Sequence, residues 1–255
     1  MKYQLLYNNK KCDTIIVIKQ LRGVDKLMFW DWTYIFVIIG ALICAAASLN
    51  VNSAYKKFSV FENRKGLTAQ EVAEFILHHA GIFDVRIERV KGSLTDHYSP
   101  KEKVLRLSES VYGSKSVAAI GVAAHECGHA IQHNVGFFPL KLRSISVPMA
   151  NIGSAIYWPV IIIGLILGYL EIAQIGILLF SFVIIFQLIT LPVEFNASHR
   201  ALFILSEKNI LVDDELQAAG KVLKAAALTY VAALFSSILQ LLRLIALTNR
   251  NNRQR

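Results

Sequence analysis

The sequence predicts a mainly α-helical integral membrane protein with about four transmembrane helices and one small α+β domain. Apolar residues make up 55% of the 255-residue chain, and the mean hydropathy is +0.46. The apolar residues are gathered into four blocks, each close to the roughly 20 residues that a helix needs to cross a bilayer. The main hydrophilic region, residues 51–145, separates the first block from the other three. A chain with this pattern is expected to sit in a membrane and to expose one domain.

The four predicted spans are residues 30–49, about 148–170, 172–191 and about 225–247. Trp30, Trp32 and Tyr34 place aromatic rings at the start of the first span, where they suit the membrane interface. A turn near Gly168 joins the second and third spans into a hairpin. A single block could be a buried core helix, but four in one chain argue against a soluble protein. The resulting division is 28–50 for transmembrane helix 1, 51–145 for the α+β domain, 146–192 for the hairpin, 193–224 for a further helix, 225–247 for transmembrane helix 4 and 248–255 for a basic tail.

Residues 1–27 differ from the rest of the chain. They are basic, and their apolar run Ile15–Ile18 is too short for a signal-peptide core and has no cleavage site after it. Met28 directly precedes the aromatic start of the first span. We therefore treat residues 1–27 as an atypical N-terminal extension, with Met28 as an alternative initiator.

The sequence of the hydrophilic region predicts a helix, then short strands and then a second helix. Thr68 and Glu71 form a capping box that opens a helix ending at Gly81. Two stretches alternate between apolar and polar residues as half-buried strands do, and these are 85–90 and 103–107. Ser114 or Ser116 is expected to cap the second helix. An exposed strand in such a region can bind an extended peptide by adding a strand to the sheet.

The second helix carries the motif H-E-x-x-H at His125, Glu126 and His129. Residues four apart share one face of a helix, so both imidazoles can reach one ion while Glu126 addresses a water molecule on it. Neutral imidazole suits Zn²⁺, which lowers the pKa of its bound water to about 7. The pattern predicts a zinc site that hydrolyses peptide bonds, with Glu126 as general base.

Two features of the flanking sequence argue against a chance match to this motif. Small residues such as Ala123, Ala124 and Gly128 surround it and allow other elements to approach the helix closely. A cluster of polar side chains in an apolar helix also costs free energy unless a partner compensates it, and a metal ion is a suitable partner.

The third zinc ligand is expected to be Glu194. The spacing of a metzincin is excluded, because Gln132 and Val135 occupy the positions where that class has glycine and histidine. Glu194 follows Pro192 at the end of the third span, where we expect a new helix to begin. Two spans separate His129 from Glu194, so both residues emerge on the same side of the membrane. The alternative role for Glu194 is an interfacial carboxylate that caps a helix N-terminus.

Four more residues are candidates for supporting roles. His97 and Tyr98 could donate hydrogen bonds to a developing oxyanion, or could only order their loop. Asn196 and His199 could orient a ligand or stabilise the transition state. The three cysteines, Cys12, Cys44 and Cys127, are scattered and suggest no disulfide framework.

Three runs in this chain, 94–98, 120–133 and 191–198, resemble the YugP-type family of bacterial membrane zinc metallopeptidases, which is distantly similar to the HtpX-like gluzincin proteases. The resemblance covers Met28 to about Leu247. It implies zinc as cofactor, His125, His129 and Glu194 as its ligands, and Glu126 as the base. The chain departs from the YugP-type pattern at Cys127, where a small residue such as Ala is usual, and at His199, where Arg or Lys is usual. HtpX-like proteins differ at the position of Ser198, where they have an aspartate.

Together these observations predict a membrane-embedded zinc endopeptidase that cleaves protein or peptide substrates at the membrane surface. The location expected from the resemblance is the bacterial cell membrane, as a multi-pass protein. Counting Lys and Arg beside the spans favours an active site on the cytoplasmic side if Met28 is the start, whereas the count is nearer to even if Met1 is the start. The net charge of +9 is spread over loops without interleaved aromatics, so anionic lipid is a better partner than nucleic acid. The alternative function is a non-enzymatic membrane scaffold with a structural metal site.

Overall fold

A computed structural model describes residues 31–253 of the chain, with side chains described for residues 31–249. The predicted N-terminal extension, residues 1–27, lies outside the described residues, as does the end of the basic tail. In chain order the elements are α1 (Tyr34–Phe58), α2 (Ala69–His79), β1 (Arg86–Val90), β2 (His97–Ser99), β3 (Val104–Ser108), α3 (Val117–Asn134), α4 (Phe138–Leu167), α5 (Leu170–Glu207) and α6 (Asp213–Arg253).

Four of these helices, α1, α4, α5 and α6, are long and apolar enough to cross a membrane. They overlap the four apolar blocks of the sequence, and many of their large apolar side chains are exposed, among them Ile38, Leu42, Ile175 and Leu188. Exposed apolar side chains along a helix are suited to contact with lipid rather than water. The predicted fold class, a mainly helical membrane protein with a small α+β domain, is confirmed.

The helices extend beyond the predicted spans, and the expected helix boundary at Pro192 is wrong. Helix α5 continues through Pro192 to Glu207, so Glu194 lies inside a helix and not at the start of a new one. A proline removes one hydrogen bond and bends a helix, but membrane helices tolerate it because neighbouring groups satisfy the freed carbonyl. Helix α4 likewise contains Pro148 and Pro159.

The sheet of the α+β domain has three strands in the order β1-β3-β2. Strand β1 pairs parallel with β3, with Arg86 opposite Val104, and β2 pairs antiparallel with β3, with Tyr98 opposite Leu105. The two strands predicted at 85–90 and 103–107 are confirmed within one residue. Strand β2 was not predicted, because it is only three residues long and follows turn residues. Its other edge is free of a strand partner among the described residues.

One compact unit comprises residues 43–145 and 187–234. Its apolar core includes Leu105 and Leu107 of β3, Ile76 of α2, Ile120 of α3 and Leu205 of α5, all fully buried. The capping box at Thr68 and Glu71 is confirmed, and Ser116 is the residue that caps α3. This unit therefore contains α3, the helix of the motif, packed into its apolar core.

The second unit comprises the described parts of residues 1–42, 146–186 and 235–255. Glycines allow close contacts between its helices. A Cβ at Gly153 would lie 2.6 Å from the carbonyl oxygen of Leu179, so these two backbones meet directly. Arg243 is buried in α6, and its guanidinium stacks on the ring of Tyr34 at 4.2 Å.

Candidate metal centre

Three potential metal ligands converge between α3 and α5. His125 and His129 lie one turn apart on α3, and Glu194 of α5 faces both. The Oε2 atom of Glu194 lies 3.3 Å from Nε2 of His125 and 3.6 Å from Nε2 of His129. Two ligand atoms bound about 2.0–2.1 Å from a tetrahedral zinc ion are separated by about 3.3–3.4 Å. The two distances from Glu194 are close to this separation, and all three donor atoms lie within 4.8 Å of one another, as a shared metal ion requires.

Hydrogen bonds on the far side of each imidazole leave the two Nε2 atoms facing the glutamate. Nδ1 of His129 lies 3.0 Å from Oε1 of Gln132, and Nδ1 of His125 lies 3.1 Å from Oγ of Ser198. The amide of Gln132 is itself fixed, because its Nε2 donates to the carbonyl of Val193 at 2.8 Å. In this orientation His129 donates its Nδ1 proton to Gln132 and keeps its Nε2 lone pair for an ion.

The electrostatic environment of the three residues favours a cation. Glu194 is only 3% exposed, and its second oxygen, Oε1, lies 3.3 Å from the guanidinium of Arg143. Burial lowers the pKa of His129, but the hydrogen bond to Glu194 and the negative charges of Glu126 and Glu194 outweigh it, so the pKa is raised overall. The two carboxylates beside this imidazole therefore favour positive charge at this position.

Glu126 is held beside this group of donors. Its Oε2 atom accepts a hydrogen bond from the backbone N–H of Tyr98 at 3.0 Å. The side chain is buried, yet it lines a cavity of about 280 Å³ together with His125 and Glu194. A carboxylate fixed by a backbone amide at the edge of a cavity is suited to exchanging protons with a molecule that enters the cavity.

The approach of α3 to α5 depends on small residues. A Cβ at Gly128 would lie 2.6 Å from the carbonyl oxygen of Ala197, so a side chain at this position would push the two helices apart. The contact lies on the turn between the histidines and next to the turn that carries Glu194. The two helices therefore meet through their backbones beside the three potential ligands.

The other predicted residues occupy different positions. His97 is exposed, its Nδ1 lies 2.9 Å from the carbonyl oxygen of Thr95, and it does not line the cavity. Tyr98 contributes its backbone amide to Glu126, while its hydroxyl lies 3.0 Å from Nδ1 of His133. Asn196 accepts hydrogen bonds from Gln132 and Arg200. It thereby helps to hold Gln132, which contacts the imidazole of His129. His199 is exposed and lines a separate groove between α5 and α6.

Two residues near the site were missed by sequence reasoning. Arg143 pairs with Glu194 although 51 positions separate them, and no local pattern marks it. Tyr230 lines the same cavity as His125 and Glu126. Cys127, between the two histidines, is fully buried, and burial raises the pKa of its thiol, so it serves as a packing residue.

Comparisons with known proteins agree with this geometry. Residues 33–249 match the family described as "Putative neutral zinc metallopeptidase". The chain is 45% identical over 213 residues to the "Putative membrane protease YugP" of Bacillus subtilis (strain 168), which covers 83% of this chain and 95% of that protein. No solved structure matches the chain significantly.

Proposed function

Because the chain belongs to this family of neutral zinc metallopeptidases, we propose that it is a membrane-embedded, zinc-dependent endopeptidase. The observation that carries the proposal is the convergence of two imidazole nitrogens and one carboxylate oxygen, with Glu126 beside them at a cavity. His125, His129 and Glu194 are assigned as the zinc ligands. Three protein ligands with one open position are typical of catalytic zinc.

In the proposed reaction Glu126 moves the proton. Zinc, when bound, activates water for attack and polarises the carbonyl of the scissile peptide bond. Glu126 takes a proton from the attacking water on its carboxylate and then delivers it to the nitrogen of the leaving amine. The amide of Tyr98 orients Glu126 for both transfers, and Arg143 balances the charge of Glu194 at Oε1.

The cavity favours an enzyme over a scaffold with a structural metal. Structural zinc sites are closed by four protein ligands, whereas the described residues bring three donors together beside an open space. The substrates proposed are flexible protein or peptide segments at the membrane surface.

Removal of the metal tests this function. Purified protein in detergent should cleave an unfolded substrate such as casein, lose this activity with 1,10-phenanthroline and regain it when about one equivalent of Zn²⁺ is added. The non-chelating isomer 1,7-phenanthroline serves as the control. Cleavage that persists in zinc-free protein, verified by mass spectrometry of the metal content, would contradict the proposal.

We place the catalytic unit on the cytoplasmic side of a bacterial membrane. The catalytic side carries eight Lys and Arg residues near the predicted spans, which are Lys56, Lys57, Arg64, Lys65, Lys141, Arg143, Lys221 and Lys224. Positive residues are retained in the cytoplasm. A cysteine at the exposed Lys65 should react with an impermeant maleimide only after cells are permeabilised, with the parent chain as control. Labelling in intact cells would show that the catalytic unit faces the outside of the cell.

A further inference from the structure

The side chain of Gln132 lies between the two helices that carry the three potential ligands. It belongs to α3, three residues after His129, and it is fully buried. Its Oε1 atom lies 3.0 Å from Nδ1 of His129, and its Nε2 atom donates to the carbonyl oxygen of Val193 at 2.8 Å and to Oδ1 of Asn196 at 3.0 Å. Val193 directly precedes Glu194 on α5. One amide group therefore links an imidazole of α3 to the turn of α5 that carries the carboxylate.

The orientation of this amide follows from partners that can act in only one way. A guanidinium only donates hydrogen bonds, so the atom of Asn196 that lies 2.7 Å from Nε of Arg200 is the acceptor, Oδ1. The same Oδ1 atom contacts Gln132, which must therefore present its NH₂ group there. The carbonyl oxygen of Val193 only accepts, and it requires the same NH₂ group. The oxygen of the Gln132 amide is left to face His129.

The amide oxygen of Gln132 selects one tautomer of His129. An oxygen acceptor requires a proton on Nδ1, and a neutral imidazole with its proton on Nδ1 has its lone pair on Nε2. This Nε2 atom is the one that lies 3.6 Å from Oε2 of Glu194. The other histidine differs, because Nδ1 of His125 lies 3.1 Å from the hydroxyl of Ser198, which can donate or accept. Of these two contacts, only the one to Gln132 fixes a tautomer.

The outer end of this chain of hydrogen bonds is also held in place. The guanidinium of Arg200 lies over the ring of Phe137, 6.0 Å from the ring centroid, just after the end of α3. The backbone N–H of Phe137 donates to the carbonyl oxygen of Gln132 at 2.9 Å. Arg200 therefore contacts both Asn196 and the segment that follows the helix of the motif.

We propose that Gln132 is a positioning residue for the metal, and that Arg200 acts through Asn196 to hold it. Gln132 keeps the Nε2 lone pair of His129 directed at the ion and ties this imidazole to the turn that carries Glu194. The inference rests on the ligand set of the proposed function and adds the residues that orient it. Partners one layer beyond the ligands change metal affinity by about 10- to 100-fold.

The zinc affinity of purified full-length variants tests this role. The dissociation constant is measured by competition with a fluorescent zinc chelator, and circular dichroism verifies the helices. Gln132→Met, which keeps the length of the side chain and removes its hydrogen bonds, should bind zinc about 10- to 100-fold more weakly. The visible absorption spectrum of its Co²⁺-loaded form should also differ from that of wild type, because the orientation of His129 is no longer fixed.

The matched control is Asn63→Leu, which breaks a different buried amide network in the same unit. The amide of Asn63 donates to the carbonyl oxygens of Leu67 and Lys115 and contacts none of the three potential ligands. This variant should lower Tm without changing zinc affinity or the Co²⁺ spectrum. A purely structural role for Gln132 would give the same pattern in Gln132→Met.

A double-mutant cycle tests whether Arg200 acts through Gln132. Arg200→Met should weaken zinc binding by less than Gln132→Met does, because the carbonyl of Val193 still anchors the amide. It should have no further effect in the Gln132→Met background, whereas independent contributions add. Arg200→Lys, which keeps a donor, should bind zinc more tightly than Arg200→Met, and this pair carries the test if Gln132→Met does not fold.

The outcomes separate this inference from the proposed function. Unchanged zinc affinity and Co²⁺ spectrum in folded Gln132→Met protein would overturn the positioning role, even where wild type cleaves its substrate only with zinc. Additive losses in the cycle would overturn the link from Arg200 through Gln132. If zinc affinity behaves as expected but wild-type protein cleaves no peptide, the positioning role stands and the peptidase function fails.

Discussion

Replacement of Glu126 by Gln is expected to abolish peptide hydrolysis while the protein keeps its zinc. Glutamine has nearly the same shape and can still accept the hydrogen bond from the N–H of Tyr98, so the cavity should persist. It cannot accept the proton of the attacking water. General-base catalysis contributes about 10²- to 10⁴-fold in rate, and kcat should fall by at least this factor.

The measurement pairs turnover with metal content in the same preparations. Glu109→Gln removes an exposed carboxylate that forms a surface ion pair with Arg89, and it should retain both activity and zinc. A wild-type rate for Glu126→Gln would show that another group is the base. Loss of zinc in this variant would instead mean that Glu126 contributes to holding the metal.

The substitution Glu194→Ala should remove the metal itself. It deletes one of three proposed ligands and leaves the guanidinium of Arg143 without this carboxylate. Loss of a partner one layer beyond the ligands costs about 10- to 100-fold in metal affinity, so loss of a ligand should cost at least 100-fold. Zinc content after gel filtration should fall from about one per chain to near zero, and hydrolysis should fall with it.

The matched control is Glu207→Ala, which removes an exposed carboxylate from the same helix. It should bind zinc like wild type. Circular dichroism establishes whether each variant retains its helices, so that loss of metal is not confused with loss of fold. Full zinc content in folded Glu194→Ala protein would rule out Glu194 as the third ligand.

Local periodicity explains which parts of this molecule could be predicted from the sequence. The apolar blocks predict the four long helices, and the alternation at residues 85–90 and 103–107 predicts β1 and β3. The pairing of His125 with His129 on one helix face also follows from spacing alone. Glu194 could be selected because an even number of spans returns the chain to the same side of the membrane, and the structure brings it to the two histidines. Its role as a ligand stays a prediction.

Features that depend on distant partners could not be predicted. Strand β2 exists because three residues pair with β3, and nothing in its composition distinguishes it from a turn. Arg143 reaches Glu194 only through the packing of α4 near α5. The sequence predicts a helix boundary at Pro192, because a proline cannot donate the backbone hydrogen bond of a helix. Helix α5 nevertheless continues through Pro192 to Glu207, because packing against neighbouring groups compensates the lost hydrogen bond.

Packing around the motif restricts which residues can occupy its five positions. In the pattern H-E-x-x-H the two central positions are nominally free, and chemistry specifies only the other three. In this chain Cys127 is fully buried, with its Sγ 3.6 Å from the carbonyl oxygen of Ala73 on α2. Gly128 lies against the backbone of a different helix, at Ala197 of α5. Two neighbouring helices thus limit side-chain size at these two positions, so that space constrains the two central positions and the proposed chemistry constrains the other three.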